Sequence, residues 1–242
     1  MKEYTVNAEI RLDKARSVEF EKSFKISFQS QGIKSAKISS ISWEKMTVKS
    51  VIFAEDDQEA EARATLHSNF LANRIAFHLN IPIRGLSITG MSCQETNGSK
   101  SVISMRDIMF AVDSLGIKLK LSEGKITKLN EFLERQLQEK TEEYLTMYRI
   151  AVSEKSIAMR YFLLYSLMEK ILGGQNGVES WIRAQELNVR MEKDPRNNTP
   201  ETIYTYLRNH IHARTIEFPY KEISRYVHKL QDLARKAVEQ KI

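Results

Sequence analysis

The spacing of apolar residues changes near residue 56, and this change restricts the fold more than any other feature of the sequence. Apolar side chains alternate with other residues from Tyr4 to Leu12. Side chains two apart on a strand lie on the same face of a sheet, so this pattern predicts a strand with one buried face. Similar apolar segments recur before the change, at residues 24–28, 38–43 and 48–53. We therefore expect several antiparallel strands at the start of the chain.

A helical period replaces the strand period after Asp56. Apolar residues recur at helical spacing between Ala60 and Leu71 and beyond, and the acidic residues before them suit the positive end of a helix dipole. One more strand is predicted after Pro82. Residues 1–110 are accordingly predicted to form an α+β domain, an antiparallel sheet with a helix, whose role the sequence does not reveal.

The rest of the chain carries the helical period alone. Gly173-Gly174 is a natural C-terminal cap for one of these helices. Residues 181–191 are predicted to form another helix, and Thr199 and Pro200 suit the N-cap and first position of the next. We therefore expect an all-α helical bundle over residues 125–242, which makes the whole chain α+β in class.

The composition fits a soluble globular protein with no strong charge bias. The chain of 242 residues contains 37 Lys and Arg against 31 Asp and Glu, a net charge of +6. This excess permits contact with phosphate groups but does not demonstrate it. Cys93 is the only cysteine, which excludes an intrachain disulfide and a cysteine-rich zinc site. No apolar run approaches the roughly 18 residues that cross a bilayer, so we expect a cytoplasmic protein without membrane contact.

Common motifs for cofactors and catalysis are absent from the sequence. It contains no phosphate-binding GxxxxGK[ST] loop, no dinucleotide-binding GxGxxG and no zinc-binding HExxH. It also lacks the GxSxG turn that presents a nucleophilic serine. We therefore predict neither a cofactor nor a metal ion.

One polar segment, residues 204–214, brings basic, amide and imidazole groups together. Arg208 and His212 are four residues apart, about 40° around a helix axis, and Tyr204 shares their side. His210 lies about 200° from Arg208 and faces elsewhere. A face with Arg208 and His212 could hold an anion and transfer a proton. Alternatively, the segment is a polar helix end whose basic groups complement the helix dipole.

Two segments of the helical half resemble HEPN-domain proteins. The segment Tyr206–Ala213, YLRNHIHA, resembles the family signature, in which an Arg-Asn pair precedes a His near a helix end. The segment Arg160–Ile171, RYFLLYSLMEKI, is similar to the family's first long helix, where an aromatic and leucine-rich run leads to an acidic residue. The order of predicted helices also agrees. The resemblance covers about residues 140–242 and leaves the N-terminal domain unassigned.

The resemblance implies a function and a set of site residues. Active HEPN members resemble metal-independent ribonucleases of toxin or phage-defence systems, in which Arg and His of two subunits meet in a cleft. Arg208 would stabilise the charged phosphorane, and His212 would move a proton to or from a reacting oxygen. Asn209 would orient the phosphate or cap the helix, Glu169 would brace Arg208, and Tyr204 would help to bind the ligand. The expected partners are RNA or a nucleotide, and a second copy in a homodimer.

The spacing inside the motif leaves a second hypothesis open. Only three residues separate Arg208 from His212, and Ala213 stands where relatives often carry the His. The alternative is a non-catalytic module, in which the helical domain binds RNA or a nucleotide or dimerises, and the N-terminal domain recognises a partner. An open cleft containing Arg208 and His212 would favour the enzyme. Burial of Arg208 and His212 in ion pairs within one subunit would favour the module.

Overall fold

The computed structural model divides into two compact units, Met1–Gln136 and Leu137–Ile242. The residues described are 1–13, 16–20, 22–27, 32–42, 44–94, 100–103, 117–194, 198–213 and 219–242. Some residues inside helices and strands, among them His212, are described by their backbone alone. Phe28 and Trp43, from the predicted strand segments, lie outside the described residues.

The first unit is built on an antiparallel sheet of six strands, in the order β3-β4-β5-β1-β6-β7. Along the central strand, alternate residues from Tyr4 to Leu12 are buried, as the spacing of apolar residues predicted. Strands β2 and β8 form a separate parallel pair. The elements are β1 (Lys2–Leu12), β2 (Arg16–Phe20), β3 (Phe24–Ser27), β4 (Ile33–Ser42), β5 (Lys45–Ala54), α1 (Asp57–Leu79), β6 (Ile83–Gln94), β7 (Lys100–Ile103), β8 (Ile117–Leu121) and α2 (Glu123–Glu134).

Helix α1 covers one face of the sheet. Its first turn is capped by Asp56, whose Oδ1 accepts a hydrogen bond from the backbone N–H of Glu59 at 2.8 Å. Leu71 and Ile75 are buried in the core that the helix shares with the strands. The helix ends at Asn80, which adopts the left-handed conformation with φ of 53°. The predicted helix is therefore present in the predicted place.

Helix α2 belongs to the first unit, whereas the sequence pattern predicts that residues from 125 onwards belong to the helical domain. Leu129 and Leu133 lie in the same core as α1 and the strands. Arg74 of α1 is buried and donates hydrogen bonds to the carbonyls of Phe132, Leu133 and Arg135 at 2.6–2.8 Å. An apolar helix face shows that a helix is buried but not which core it joins, so the boundary was placed too early.

The second unit is a helical bundle centred on α4, which contacts the other four helices. Gly173, with φ of 83°, ends α4 as predicted. A short antiparallel pair of strands, β9 and β10, accompanies the helices. The elements are α3 (Glu139–Ser153), α4 (Ile157–Leu172), α5 (Gln175–Gln185), β9 (Met191–Lys193), β10 (Pro200–Thr202), α6 (Ile203–Ala213) and α7 (Tyr220–Glu239).

Two predicted helix boundaries in this unit are wrong. The helix expected over residues 181–191 is α5, which starts at Gln175 and ends at Gln185. The helix expected to start at Thr199-Pro200 begins at Ile203 instead, because Pro200 opens strand β10. Among the described residues, no helix has the length and hydropathy needed to span a bilayer.

Replacing Arg74 with Met should lower the free energy of unfolding by about 2 kcal/mol or more, because three carbonyl groups lose a charged hydrogen-bond donor. Urea unfolding of the full chain, followed by circular dichroism, measures this loss. Arg84→Met is the control, since Arg84 forms an exposed pair with Asp13 and should cost less than about 1 kcal/mol. Equal effects from both variants would contradict the role of Arg74.

His67 gives the first unit a defined sensitivity to acid. Burial on α1 lowers the pKa of its imidazole from 6.5 to about 4. The unfolded chain therefore binds the proton more readily, and stability falls as the pH drops from 6.5 towards 4, by up to about 3 kcal/mol. His67→Phe should remove this part of the pH dependence, measured by urea unfolding across that range. The control is His228→Gln, at an exposed position, which retains His67 and should therefore keep this part of the pH dependence.

Candidate functional site

The Arg-Asn pair of the HEPN-like motif lies on α6, next to α4. Arg208 Nη2 donates a hydrogen bond to Glu169 Oε1 of α4 at 2.8 Å. The side chains of Arg208 and Glu169 are 22% and 21% exposed, so this ion pair lies at the edge of the core. The contact between these two residues is the one that the family resemblance implies.

Arg208 and Asn209 extend this contact into a longer polar chain. Arg208 Nη1 donates to Asn209 Oδ1 at 3.0 Å, and Asn209 Nδ2 donates to Glu201 Oε2 at 3.0 Å. The guanidinium carbon lies 5.5 Å from the centroid of the Tyr165 ring. Arg208 Nε is buried and has no hydrogen-bond acceptor among the described residues. We call Glu169, Arg208, Asn209 and Glu201 the polar chain.

Tyr204 lies in the core and not on the side of a ligand, where helix geometry had placed it. Its side chain is fully buried, and its hydroxyl donates to Glu186 Oε1 at 2.9 Å. Its ring meets the ring of Tyr226 edge to face, at 5.5 Å between centroids. Its carbonyl oxygen accepts a hydrogen bond from the Tyr161 hydroxyl at 3.0 Å. Burial raises the pKa of Tyr204 well above its usual value. Tyr204 is therefore a neutral residue of the core that packs against Tyr226.

The structure describes the side chain of His210 but only the backbone of His212. His210 is half-buried, and its Nδ1 lies 2.9 Å from the carbonyl oxygen of Tyr206, one turn earlier on the helix. Its ring also contacts the ring of Tyr206, at 4.0 Å between centroids. His212, the predicted proton carrier, is placed on α6 by its backbone, but its side chain lies outside the described residues.

The start of α6 is held by Glu179 of α5, a residue that none of the sequence motifs includes. Glu179 Oε1 accepts hydrogen bonds from the backbone N–H and the hydroxyl of Thr202, at 2.9 and 2.8 Å, and from the hydroxyl of Thr205. Thr202 Oγ1 in turn accepts from Thr205 N at 3.4 Å. Thr202 is therefore the N-cap residue of α6, the role that was predicted for Thr199. The Thr-x-x-Thr spacing of residues 202 and 205 could have indicated this alternative cap.

A cavity of about 500 Å³ lies between α5 and the turn that joins β9 to β10. Among the described residues, its lining includes the carboxylates of Glu179, Asp194 and Glu201 and the guanidinium of Arg183. Arg208 is not part of this lining, so the cavity does not extend the Arg208 site into an anion pocket.

The described residues include no group of three His, Cys, Asp or Glu side chains that could hold a metal ion. The chemistry that the polar chain can perform is also restricted. Each terminal nitrogen of Arg208 already donates to a group of the same chain, and one of these groups is a carboxylate that balances its charge. A phosphate that approached this guanidinium would share it with the carboxylate of Glu169, which already balances its charge.

The chain was also compared with known proteins. No protein-family model, curated protein or solved structure matches it. The resemblance to HEPN proteins therefore stays a prediction from the residue pattern.

The ion pair between Glu169 and Arg208 should be energetically coupled. We expect the double variant Glu169→Ala with Arg208→Ala to lose about 1–2 kcal/mol less stability than the two single variants added together, since the residues are in contact and mostly buried. Urea unfolding of the four proteins in this cycle measures the coupling.

The neighbouring pair of Lys170 and Glu143 provides a matched control. It joins the same helix, α4, to α3, but both side chains are about half exposed. Water screens such pairs, so the same cycle there should give about 0.5 kcal/mol or less. A coupling at Glu169 and Arg208 no larger than this value would show that the polar chain does not fix the Arg-Asn pair.

Proposed function

We propose that this protein is a non-catalytic HEPN-like protein, whose helical unit, residues 137–242, is an association module that forms a homodimer. The observation that supports this proposal is the intrachain ion pair between Arg208 and Glu169. An arginine that acts on RNA must present its donors to the phosphate as negative charge develops. Arg208 instead directs one donor of each terminal nitrogen to its own chain, to Asn209 and to Glu169.

The electrostatics of the polar chain favour the same conclusion. Glu169 binds Arg208 directly, and Glu201 binds its neighbour Asn209. The carboxylate of Glu169, 2.8 Å from the guanidinium, lowers the positive potential that an incoming phosphate would meet. A guanidinium that is charge-balanced and mostly buried is instead suited to join α4 and α6.

Self-association is favoured by the distribution of exposed apolar side chains. Seven large hydrophobic residues are exposed in the described part of the chain, and five of them lie in the helical unit. Leu187, after α5, is 93% exposed, the largest value among them. Apolar surface of this kind is stabilised when a partner covers it. The five residues are Ile150, Met159, Leu187, Met191 and Tyr220.

A metal-independent ribonuclease of toxin or phage-defence type is the second candidate function. The observation that favours it is the oriented Arg208, which Glu169 and Asn209 hold in place while about a fifth of its side chain remains exposed (22%). In a dimer, His212 of each copy would supply the proton carrier that the resemblance implies. Cleavage would then depend on Arg208 and His212 together.

A cleavage assay separates the two candidates. Full-length protein is incubated with single-stranded RNA in the presence of a chelator, and we expect no cleavage by the wild type. Cleavage that His212→Ala reduces by about 10²–10⁴, with His210→Ala close to neutral, would overturn the non-catalytic proposal in favour of the enzyme.

Sedimentation of the same protein tests the dimer. We expect dimers at micromolar concentration, and Leu187→Asp should weaken dimerisation by about tenfold or more, because a charge replaces an exposed apolar contact. Leu66→Asp is the matched control, since Leu66 is 71% exposed but lies in the first unit. A monomeric wild type, or equal effects of the two substitutions, would contradict association through the helical unit.

A further inference from the structure

Three neighbouring strands of the first unit carry charge of a single sign. Strands β3, β4 and β5 contain five lysines and no aspartate or glutamate. All five lysine side chains are exposed. The net charge of the whole chain does not reveal this concentration, because acidic residues elsewhere offset it. The five are Lys25, Lys34, Lys37, Lys45 and Lys49.

Strand register places three of these lysines in one line across the sheet. Lys25 is paired with Lys37 of the next strand, and Lys37 with Lys49 of the strand after it. The line continues to Asn7 and Gly90 on β1 and β6. Directly opposite residues share a face, with Cα atoms about 4.5–5.5 Å apart. We call Lys25, Lys37 and Lys49 the lysine row.

The lysine row lacks the ion pairs that the other two lysines of these strands form. Lys34 pairs with Glu3 at 3.2 Å, and Lys45 lies 3.4 Å from Glu9. The three lysines of the row form no ion pair with any residue that the structure describes. Like charges directly opposite on a sheet are destabilising. The fold therefore carries an electrostatic cost here that a bound anion would remove.

The groups beside the lysine row suit a polar ligand. The adjacent register line contains the hydroxyl side chains of Ser39 and Thr47, and Asn7 adds an amide. The line then reaches Glu9, whose carboxylate is paired with Arg11 and Lys45. The strands β1 to β6 contribute none of the large hydrophobic side chains that are exposed in the described chain. Without an apolar anchor, insertion into a lipid surface is disfavoured. Hydroxyl and amide groups can bind phosphate oxygens between the ammonium groups.

We propose that this face of the sheet binds the phosphodiester backbone of a single-stranded nucleic acid, laid along the lysine row. A linear series of ammonium groups matches a linear polyanion, and the scarcity of aromatic side chains on these strands excludes extensive base stacking. Recognition is therefore of phosphates and independent of base sequence. The surface lies in the first unit and does not depend on the function proposed for the helical unit.

The binding should depend on salt in a calculable way. Each phosphate contact on a single strand contributes about −0.7 to the slope of log affinity against log salt concentration, so three contacts predict a slope of about −2. The triple variant Lys25→Gln, Lys37→Gln, Lys49→Gln should lose most of this slope and bind about tenfold or more weakly at low salt. Its melting temperature should be equal to or above that of the wild type, since removing the lysine row relieves repulsion.

The experiment measures fluorescence anisotropy of a labelled oligouridine with the full chain over a series of salt concentrations. The matched control is Lys125→Gln, Lys128→Gln, Lys140→Gln, which removes the same net charge from exposed positions on α2 and α3. This control should retain most of the affinity and the slope. Arg208→Ala should also retain both, which separates this surface from the HEPN-like motif.

Three results would overturn the proposal. One is equal weakening by both triple variants, which would assign binding to net charge alone. Another is unchanged affinity after loss of the lysine row. The third is row-dependent binding to vesicles of phosphatidylcholine and phosphatidylserine without binding to oligouridine, which would assign the surface to anionic lipid.

Discussion

Glu179 determines where α6 begins, and the geometry of the candidate site follows from that position. Its carboxylate accepts three hydrogen bonds from Thr202 and Thr205, which ties the start of α6 to the side of α5. Arg208 lies one turn beyond Thr205, so the same anchoring brings its guanidinium to Glu169 of α4. A buried carboxylate with several donors is costly to disturb. The polar chain is therefore a consequence of how α5 and α6 are joined.

The periodicity of apolar residues predicted where β1 and α1 lie, but it did not predict which elements pack against one another. The alternation in β1 and the helical spacing of α1 are each decided by one buried face, which the sequence states directly. The core that α2 joins depends on contacts with Arg74, more than fifty residues away. The start of α6 depended on a choice between Thr199 and Thr202, and Glu179 on another helix makes that choice.

In the candidate site, too, some contacts could be predicted from the sequence and others could not. The contact of Arg208 with Glu169 could be expected from a family resemblance, because both residues belong to recognisable segments. The burial of Tyr204 could not, since helix geometry gives the angle of a side chain but not what packs against it. The lysine row was equally hidden, because its members are about twelve residues apart in sequence and meet only through strand register. Arg208 is thus paired with a carboxylate, whereas the lysine row forms no ion pair with the described residues.

The buried Arg74 has a consequence for synthesis of the chain on the ribosome. Its carbonyl acceptors lie 58 to 61 residues further along the chain, so they do not yet exist when α1 emerges. The same holds for Leu129 and Leu133 of α2, which lie in the core that α1 shares with the strands. The first unit therefore completes its core only after α2 has been made. Until then, nascent chains expose the apolar surface that α2 later covers, which is the surface that a chaperone would meet.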